Sequence, residues 1–502
     1  MYGNKKLAGL LLGPFVFVLV LLLPPPEGMT PAGLKVAALT MLMAIWWISE
    51  AVPIPATSLL PIAVLPAMGV MPTAEATAPY ANHLIFLFMG GFFLAVTMEH
   101  WNLHRRVALF VISLVGTSPA RIVLGFMLAT GVLSMWVSNT ATAMMMVPIG
   151  MAVFRQTTGL INPCDDDSMD ARQANFGKAL MLGIAYAASI GGVGTIIGTP
   201  PNTVMVAMMD KLYKQQIGFF QWMLFGVPLA AVMLFLCWLL LTKILFPVGR
   251  GDDDGSGGAH IKRELKMMGP MSKEEKSILA VVVLVSTCWI IRGVVFDRIP
   301  ALRMMSDANI AIIGAMLLFL IPSDLKKGKF LLDWRTAVGI PWSVILLFGG
   351  GLSLANSFSQ AGLANWVALQ LAILENLPFI AFVGIVAFIT VFLTSVTSNT
   401  ATATLLVPIL GSASVALGIH PLGAIISGCV AASFAFMLPV STPPNAVVFS
   451  SGCVTIQQMA KSGIWLNIIG TIAITLAVVY LLPLVWGVDF SVMPDWATAI
   501  TE

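Results

Sequence analysis

The chain is written in long apolar runs separated by short polar breaks. A helix needs about 20 apolar residues to cross the hydrocarbon core of a bilayer. Candidate runs lie at roughly 7–24, 32–49, 54–72, 84–99, 179–212, 218–247, 277–296, 308–322, 343–359, 422–453 and 464–486. The pattern predicts an all-α multi-span membrane protein with about eleven transmembrane helices. Two further apolar segments, about 121–155 and 378–416, each carry a polar tripeptide, Ser-Asn-Thr, near the middle.

These two segments are copies of each other. "WVSNTATAMMMVPI" from Trp136 and "VTSNTATATLLVPI" from Val396 lie 260 positions apart. The same offset relates "FMGGFFLAVTMEHWNLHRRVA" from Phe88 to "FGGGLSLANSFSQAGLANWVA" from Phe348. Further on, "GTPPNTV" from Gly198 answers "STPPNAV" from Ser441, 243 positions apart. Three blocks in the same order indicate an internal duplication, the usual build of secondary transporters.

Charge indicates how the copies are oriented. Lys and Arg mark cytoplasmic loops. Arg105, Arg106 and Arg121 precede the first tripeptide segment, and Arg155, Arg172 and Lys178 follow it. Its twin has no Lys or Arg between Arg335 and Lys461. Opposite flanks imply entry from opposite faces, and five crossings separate the span at 84–99 from its copy at 343–359. The repeats are therefore expected to be inverted, with the N-terminus cytoplasmic and the C-terminus outside. The Lys and Arg residues of 250–276 and 326–335 fit that topology, whereas Lys211, Lys214, Arg292, Arg298 and Arg303 go against it. The parity requires each tripeptide segment to be a re-entrant helical hairpin that does not cross. Non-helical backbone at that depth is tolerated where it lines a cavity or is buried in protein. Pro200–Pro201 and Pro443–Pro444 should break the helices that follow, because proline removes donors and clashes with the preceding turn.

Composition agrees with a bilayer environment. Charged residues make up 10% of the chain and hydrophobic ones 58%, against about 25% charged in soluble domains; mean hydropathy is +0.94. The net charge of +3 gives no sign of a nucleic-acid partner. The basic, apolar N-terminus lacks a small-x-small cleavage site and is expected to be an uncleaved first helix. Five scattered cysteines (Cys164, Cys237, Cys288, Cys429, Cys453) show neither metal-ligand spacing nor a disulfide framework.

A helix broken inside a membrane exposes up to four unpaired N–H groups at one end and four carbonyls at the other. The N–H ends attract anions, while carbonyls with Ser or Thr hydroxyls suit hard cations. The tripeptide supplies neutral donors and acceptors, which can take up an anion and let it go. A dianion at mid-depth needs countercharge, and mobile sodium ions could provide it, one or more for each of the two twinned sites. The packing alternative, in which Ser, Asn and Thr merely join helices, fits one tripeptide better than two that are each followed by a twinned Thr-Pro-Pro-Asn.

On "LSMWVSNTATAMMMVPI", "SIGGVGTIIGTPPN", "ELKMMGPMSKEEK", "IPWSVILLFGGGLSLA", "TSNTATATLLVPI" and "MLPVSTPPNAVVF", the chain resembles the divalent anion/sodium symporter family, which includes sodium-coupled dicarboxylate and citrate carriers. The resemblance implies a homodimer of eleven-helix protomers embedded in lipid of the plasma (inner) membrane. Each protomer would have a fixed scaffold domain and a transport domain moving as an elevator. It implies substrate contacts at Asn139, Thr140, Asn399 and Thr400, with Thr199, Pro200, Thr442 and Pro443 opposite. A first sodium site would use Ser134, Ser138, Asn139 and the Gly198 backbone, and a second Thr394, Thr397, Asn399 and the Ser441 backbone. Family members often carry Glu where Ser395 stands, and small apolar residues where Thr397 and Ser441 stand, so the second site departs from the pattern. Two or more sodium ions and no organic cofactor are implied.

The expected division is N-terminal scaffold helices (1–78), a first repeat (79–247), a cytoplasmic loop (248–276), linking helices with a second cytoplasmic loop (277–336), a second repeat (337–490) and a tail (491–502). Glu50 reads as an interfacial or capping carboxylate, the five histidines as span-end or loop residues, and Asp165–Asp167 and Asp252–Asp254 as solvated loops. An enzyme would need His, Asp, Glu or Cys grouped at mid-depth, and the twinned cores have none. Two helix breaks in inverted repeats favour a carrier over a channel. The leading expectation is sodium-coupled import of small dicarboxylates such as succinate, malate or fumarate. Sodium-independent exchange remains an alternative, as does carriage of citrate, tartrate or sulfate.

Overall fold

In the computed structural model, residues 4–116, 118–159, 170–248, 256–300, 302–370 and 377–498 are described. Among them, 7 helices are long and apolar enough to cross a membrane, and further apolar helices of 10–17 residues accompany them. Large apolar side chains such as Phe15, Phe235, Leu284 and Ile472 are exposed on this all-helical body, as a lipid-facing surface requires. The expected runs at 179–212 and 422–453 are each interrupted, giving Ala171–Gly192 followed by Pro200–Tyr213, and Pro421–Ala432 followed by Pro443–Ser450. Proline at the first two helical positions starts each second piece, where a missing N–H costs nothing.

Both tripeptide segments are helical hairpins. Pro119–Ser134 turns at Met135–Ser138 into Asn139–Thr158, and Phe379–Thr394 turns at Ser395–Ser398 into Asn399–Ala416. Ser138 and Ser398 are the N-cap residues of the returning helices, a position that favours Ser. The first hairpin's leading arm packs on Ala171–Gly192 and Phe219–Leu239; the second packs on Pro421–Ala432 and Ile456–Leu476. Those last two partners are also twins: each has 21 residues and runs on into a π-helical segment. Gly226 and Gly463 hold equivalent places on them. A Cβ there would come within 2.6 Å of the Val193 carbonyl oxygen and 2.5 Å of the Phe436 carbonyl oxygen. Each glycine thus lets its helix press against the interrupted stretch of its own half.

The halves meet through equivalent residues. Phe88 and Phe348, 260 apart in sequence, have ring centroids 5.2 Å apart. A residue that touches its own twin marks the axis of a two-fold arrangement. Buried Tyr186 hydrogen-bonds Ser462 at 2.8 Å across the same boundary.

Some expectations need correction. The segment expected to be a loop at 248–276 contains the helix Ser256–Met267, clamped to Leu103–Val115 by Arg105–Glu264 at 2.9 Å. Arg106–Glu275 at 2.8 Å adds a second tie from the same helix. The Lys-rich loop before residue 335 folds a small antiparallel pair, Pro322–Asp324 with Lys329–Phe330. Cys237, Cys288 and Cys429 are free thiols, but Cys453 is disulfide-bonded. Sequence spacing gave no hint of this, because pairing depends on which residues the fold brings together. Asp165–Asp167 and Asp252–Asp254 lie outside the described residues.

Candidate functional site

The tips of both hairpins and both interrupted helices line one cavity of about 1700 Å³. All eight expected substrate contacts, Asn139, Thr140, Thr199, Pro200, Asn399, Thr400, Thr442 and Pro443, are on its wall. Four helices, Asn139–Thr158, Pro200–Tyr213, Asn399–Ala416 and Pro443–Ser450, begin there. Their positive dipole ends favour an anion. The two kinds of helix start contribute differently. Pro200–Pro201 and Pro443–Pro444 bring dipole without N–H donors at those positions, whereas Asn139–Thr140 and Asn399–Thr400 keep theirs. Direct hydrogen bonding to a ligand therefore falls chiefly to the tripeptides.

The residues expected at the cation sites divide into two layers. Ser138, Gly198, Thr397 and Ser441 reach the cavity wall, while Ser134 and Thr394 are fully buried behind it. In the first half the Ser134 hydroxyl is hydrogen-bonded to the Asn139 amide and donates to the Ala188 carbonyl at 2.7 Å. In the second, the Thr394 hydroxyl lies 2.8 Å from both Asn399 Oδ1 and the Ala432 carbonyl and shares its one proton between them. The same pairs of residues meet in both halves.

The Asn139 amide can take either of two faces. With its oxygen turned inward, it joins the Ser134 hydroxyl and the carbonyls of Ala188 and Gly198 in a cluster of oxygens. Turned over, its nitrogen donates to both carbonyls at 3.2 Å. Which face is adopted follows from the hydrogen-bond network. The bare site favours the donating nitrogen, whereas a hard cation, which prefers oxygen ligands, favours the oxygen face. The donor set thus fits a sodium ion.

Among the described residues the charged groups on the cavity wall are Lys6, Glu50 and Glu99, none of them in the Ser-Asn-Thr or Thr-Pro-Pro-Asn motifs. Glu50 is left-handed (φ 50°) just beyond Pro31–Ser49 and faces Lys6 at 4.0 Å, in keeping with an interfacial carboxylate. Phe88, Phe92 and Glu99 of His83–His100 and residues of Gly339–Val344 also line the cavity. A separate apolar groove of about 520 Å³ between Phe379–Thr394 and Ile456–Leu476 contains none of these residues. The Thr471 and Thr475 hydroxyls on it bond their own helix, so the polar site is the large cavity.

Several structural residues were not singled out from the sequence. Asn202, fully buried, donates to the carbonyls of Gly192, Val193 and Thr195 at 2.8–3.4 Å. Its twin Asn445 donates to Ala435, Leu438 and the Ser441 hydroxyl at 3.0–3.1 Å. Each amide satisfies carbonyls freed by its helix break, and the Pro-Pro-Asn repeat was the signal for it. Thr195, which donates to the Met135 carbonyl at 2.5 Å and accepts from Gly198 N at 3.0 Å, had no such signal, since its twin is Leu438.

Fold and site together define a polytopic helical membrane protein built by duplication around one largely uncharged cavity. Residues 4–487 match the family described as the sodium:sulfate symporter transmembrane region, and the chain belongs to that family. It is 45% identical to the sodium-dependent dicarboxylate transporter SdcS of Staphylococcus saprophyticus, over 97% of this chain and 93% of that one. It is 43% identical to SdcS of Staphylococcus aureus strain MRSA252, over 98% and 94%. Among solved structures it resembles the Alcanivorax borkumensis YdaH transporter (TM-score 0.53, 13% identity, 89% and 98% covered). Neisseria gonorrhoeae MtrF is similarly related (TM-score 0.54, 13% identity, 95% of each chain). At that identity the two structures support the fold alone.

Proposed function

We propose that this protein imports small dicarboxylates of the succinate, malate and fumarate type, coupled to two or more sodium ions. The observation that carries this reading is the convergence of Asn139–Thr140, Asn399–Thr400 and both Thr-Pro-Pro-Asn helix starts on one cavity. Neutral donors and four helix N-termini attract a dianion without a fixed cation to retain it. The two oxygen-lined sites behind the tips hold sodium as cargo and supply the countercharge. The relatives named as sodium-dependent dicarboxylate transporters support the same assignment.

The site residues are assigned as follows. Asn139, Thr140, Asn399 and Thr400 hold the carboxylates, with Thr199, Pro200, Thr442 and Pro443 opposite. Ser134, Ser138, Asn139 and Gly198 hold one sodium ion, and Thr394, Thr397, Asn399 and Ser441 the other. The protein acts as a homodimer in the plasma (inner) membrane with its N-terminus cytoplasmic, and the hairpins and interrupted helices of the repeats 79–247 and 337–490 supply the moving part. An elevator motion is supported by the division of the wall: the polar motifs stand on hairpins and interrupted helices, while residues of His83–His100 and Gly339–Val344 line the rest of it.

The test is uptake of labelled succinate into proteoliposomes under an inward sodium or an inward potassium gradient. Faster uptake with sodium supports the proposal. Equal uptake in both, dependent on dicarboxylate inside, would replace it with sodium-independent exchange.

A further inference from the structure

Behind the second hairpin tip is a buried polar link that the first half lacks. Asn467 is fully buried in the middle of the apolar helix Ile456–Leu476. Its Nδ2 donates to the Ser395 hydroxyl at 3.2 Å, and that hydroxyl donates to the Val391 carbonyl at 2.9 Å. Ser395 directly follows Thr394, whose hydroxyl holds Asn399. The Asn467 side-chain oxygen, buried too, has no donor. An acceptor left unmatched in apolar surroundings is destabilising. The positions equivalent to Ser395 and Asn467 in the first half are Met135 and Ala230, which can form no such link.

We propose that Asn467, acting through Ser395, is a positioning residue for the second sodium site. This rests on the sodium-coupled reading above. The link pins the turn next to Thr394, so the Thr394 hydroxyl and the Asn399 oxygen are held ready for the ion before it arrives, a task that Thr195 performs in the first half by bonding the Met135 carbonyl. Preorganised ligands bind more tightly because less ordering remains to be done on binding. Breaking the link should therefore weaken sodium binding without touching the dicarboxylate contacts.

The experiment measures the sodium-induced rise in melting temperature of the purified protein, with potassium as control, alongside sodium activation of succinate uptake. Ser395→Ala removes one hydroxyl, and Asn467→Asp keeps the shape while adding charge. We expect Ser395→Ala to raise the half-saturating sodium concentration about 5-fold, with the succinate KM at saturating sodium unchanged. Asn467→Asp should lower it by a similar factor. A melting response and a sodium curve unmoved in both variants, with only the maximal rate reduced, would mean that Asn467 merely packs the helix and would overturn the inference alone. Absence of any sodium-specific response in the unaltered protein would instead remove the sodium-coupled reading, and this inference with it.

Discussion

The two halves agree at the Asn-Thr and Thr-Pro-Pro-Asn residues of the cavity wall and differ beside and behind them. Asn139 and Asn399, Thr140 and Thr400, and the two Thr-Pro-Pro-Asn starts face the same space. Beside and behind them, Met135, Val137, Gly198 and Ala230 of the first half correspond to Ser395, Thr397, Ser441 and Asn467 of the second. The consequence is visible in one pair of hydroxyls. Thr402 bonds Thr397 at 2.7 Å, while its fully buried twin Thr142, opposite Val137, has no partner for its hydroxyl. A ligand held between two halves constrains both walls together, whereas the layer behind each wall serves only its own half and can diverge.

If the walls act together, each asparagine is indispensable. Asn139→Ala and Asn399→Ala should each cut succinate uptake by about 10- to 100-fold, the effect of removing one hydrogen bond to a charged group. Both variants should still purify as folded protein by gel filtration. Loss of transport in one variant and not the other would show that only one half meets the substrate, ending the symmetric reading of the cavity.

The difference behind the walls can be tested by exchange. Val137→Thr offers Thr142 the partner that Thr402 already has, and should raise stability by about 1 kcal/mol. In a chain this long that corresponds to about 1–2 °C in melting temperature. Thr397→Val should lower it by at least as much, because it leaves the Thr402 hydroxyl buried and unmatched. Shifts in the same direction would mean that the fit of the extra methyl and hydroxyl, rather than hydroxyl pairing, decides the outcome.

How far the sequence reached follows the same division. The hairpins, the interrupted helices and all eight wall residues were legible because duplication prints the same unusual polar string twice in an apolar chain. Asn202 and Asn445 stood inside that string, although their task of satisfying freed carbonyls needed coordinates. Asn467 was hidden because its twin is Ala230 and it is one polar residue in an otherwise apolar helix. The helix Ser256–Met267 is hidden in the sequence because it is short and carries no long apolar run, and the structure packs it against Leu103–Val115 and Asn139–Thr158. The Cys453 disulfide had no repeat or spacing to announce it.

The smallest expected effect concerns how the helix before each interruption begins. Ala171–Gly192 is capped by the Asp170 carboxylate, which accepts from Arg172 N at 2.8 Å. Pro421–Ala432 is capped instead by His420, whose Nδ1 accepts from Leu422 N at 3.3 Å while the ring packs against Phe490 and Trp496. Burial lowers the His420 pKa from its ordinary 6.5 to about 4. The folded chain therefore keeps the ring neutral at pH values where the unfolded chain protonates it. Stability from this group is complete above pH 6.5 and falls as the pH drops towards 4, below which both states carry the proton. The melting temperature should decline across that window, and His420→Asn, an acceptor that does not titrate, should flatten part of the decline. An unchanged slope in His420→Asn would place the acid sensitivity elsewhere and leave the two caps equivalent in practice.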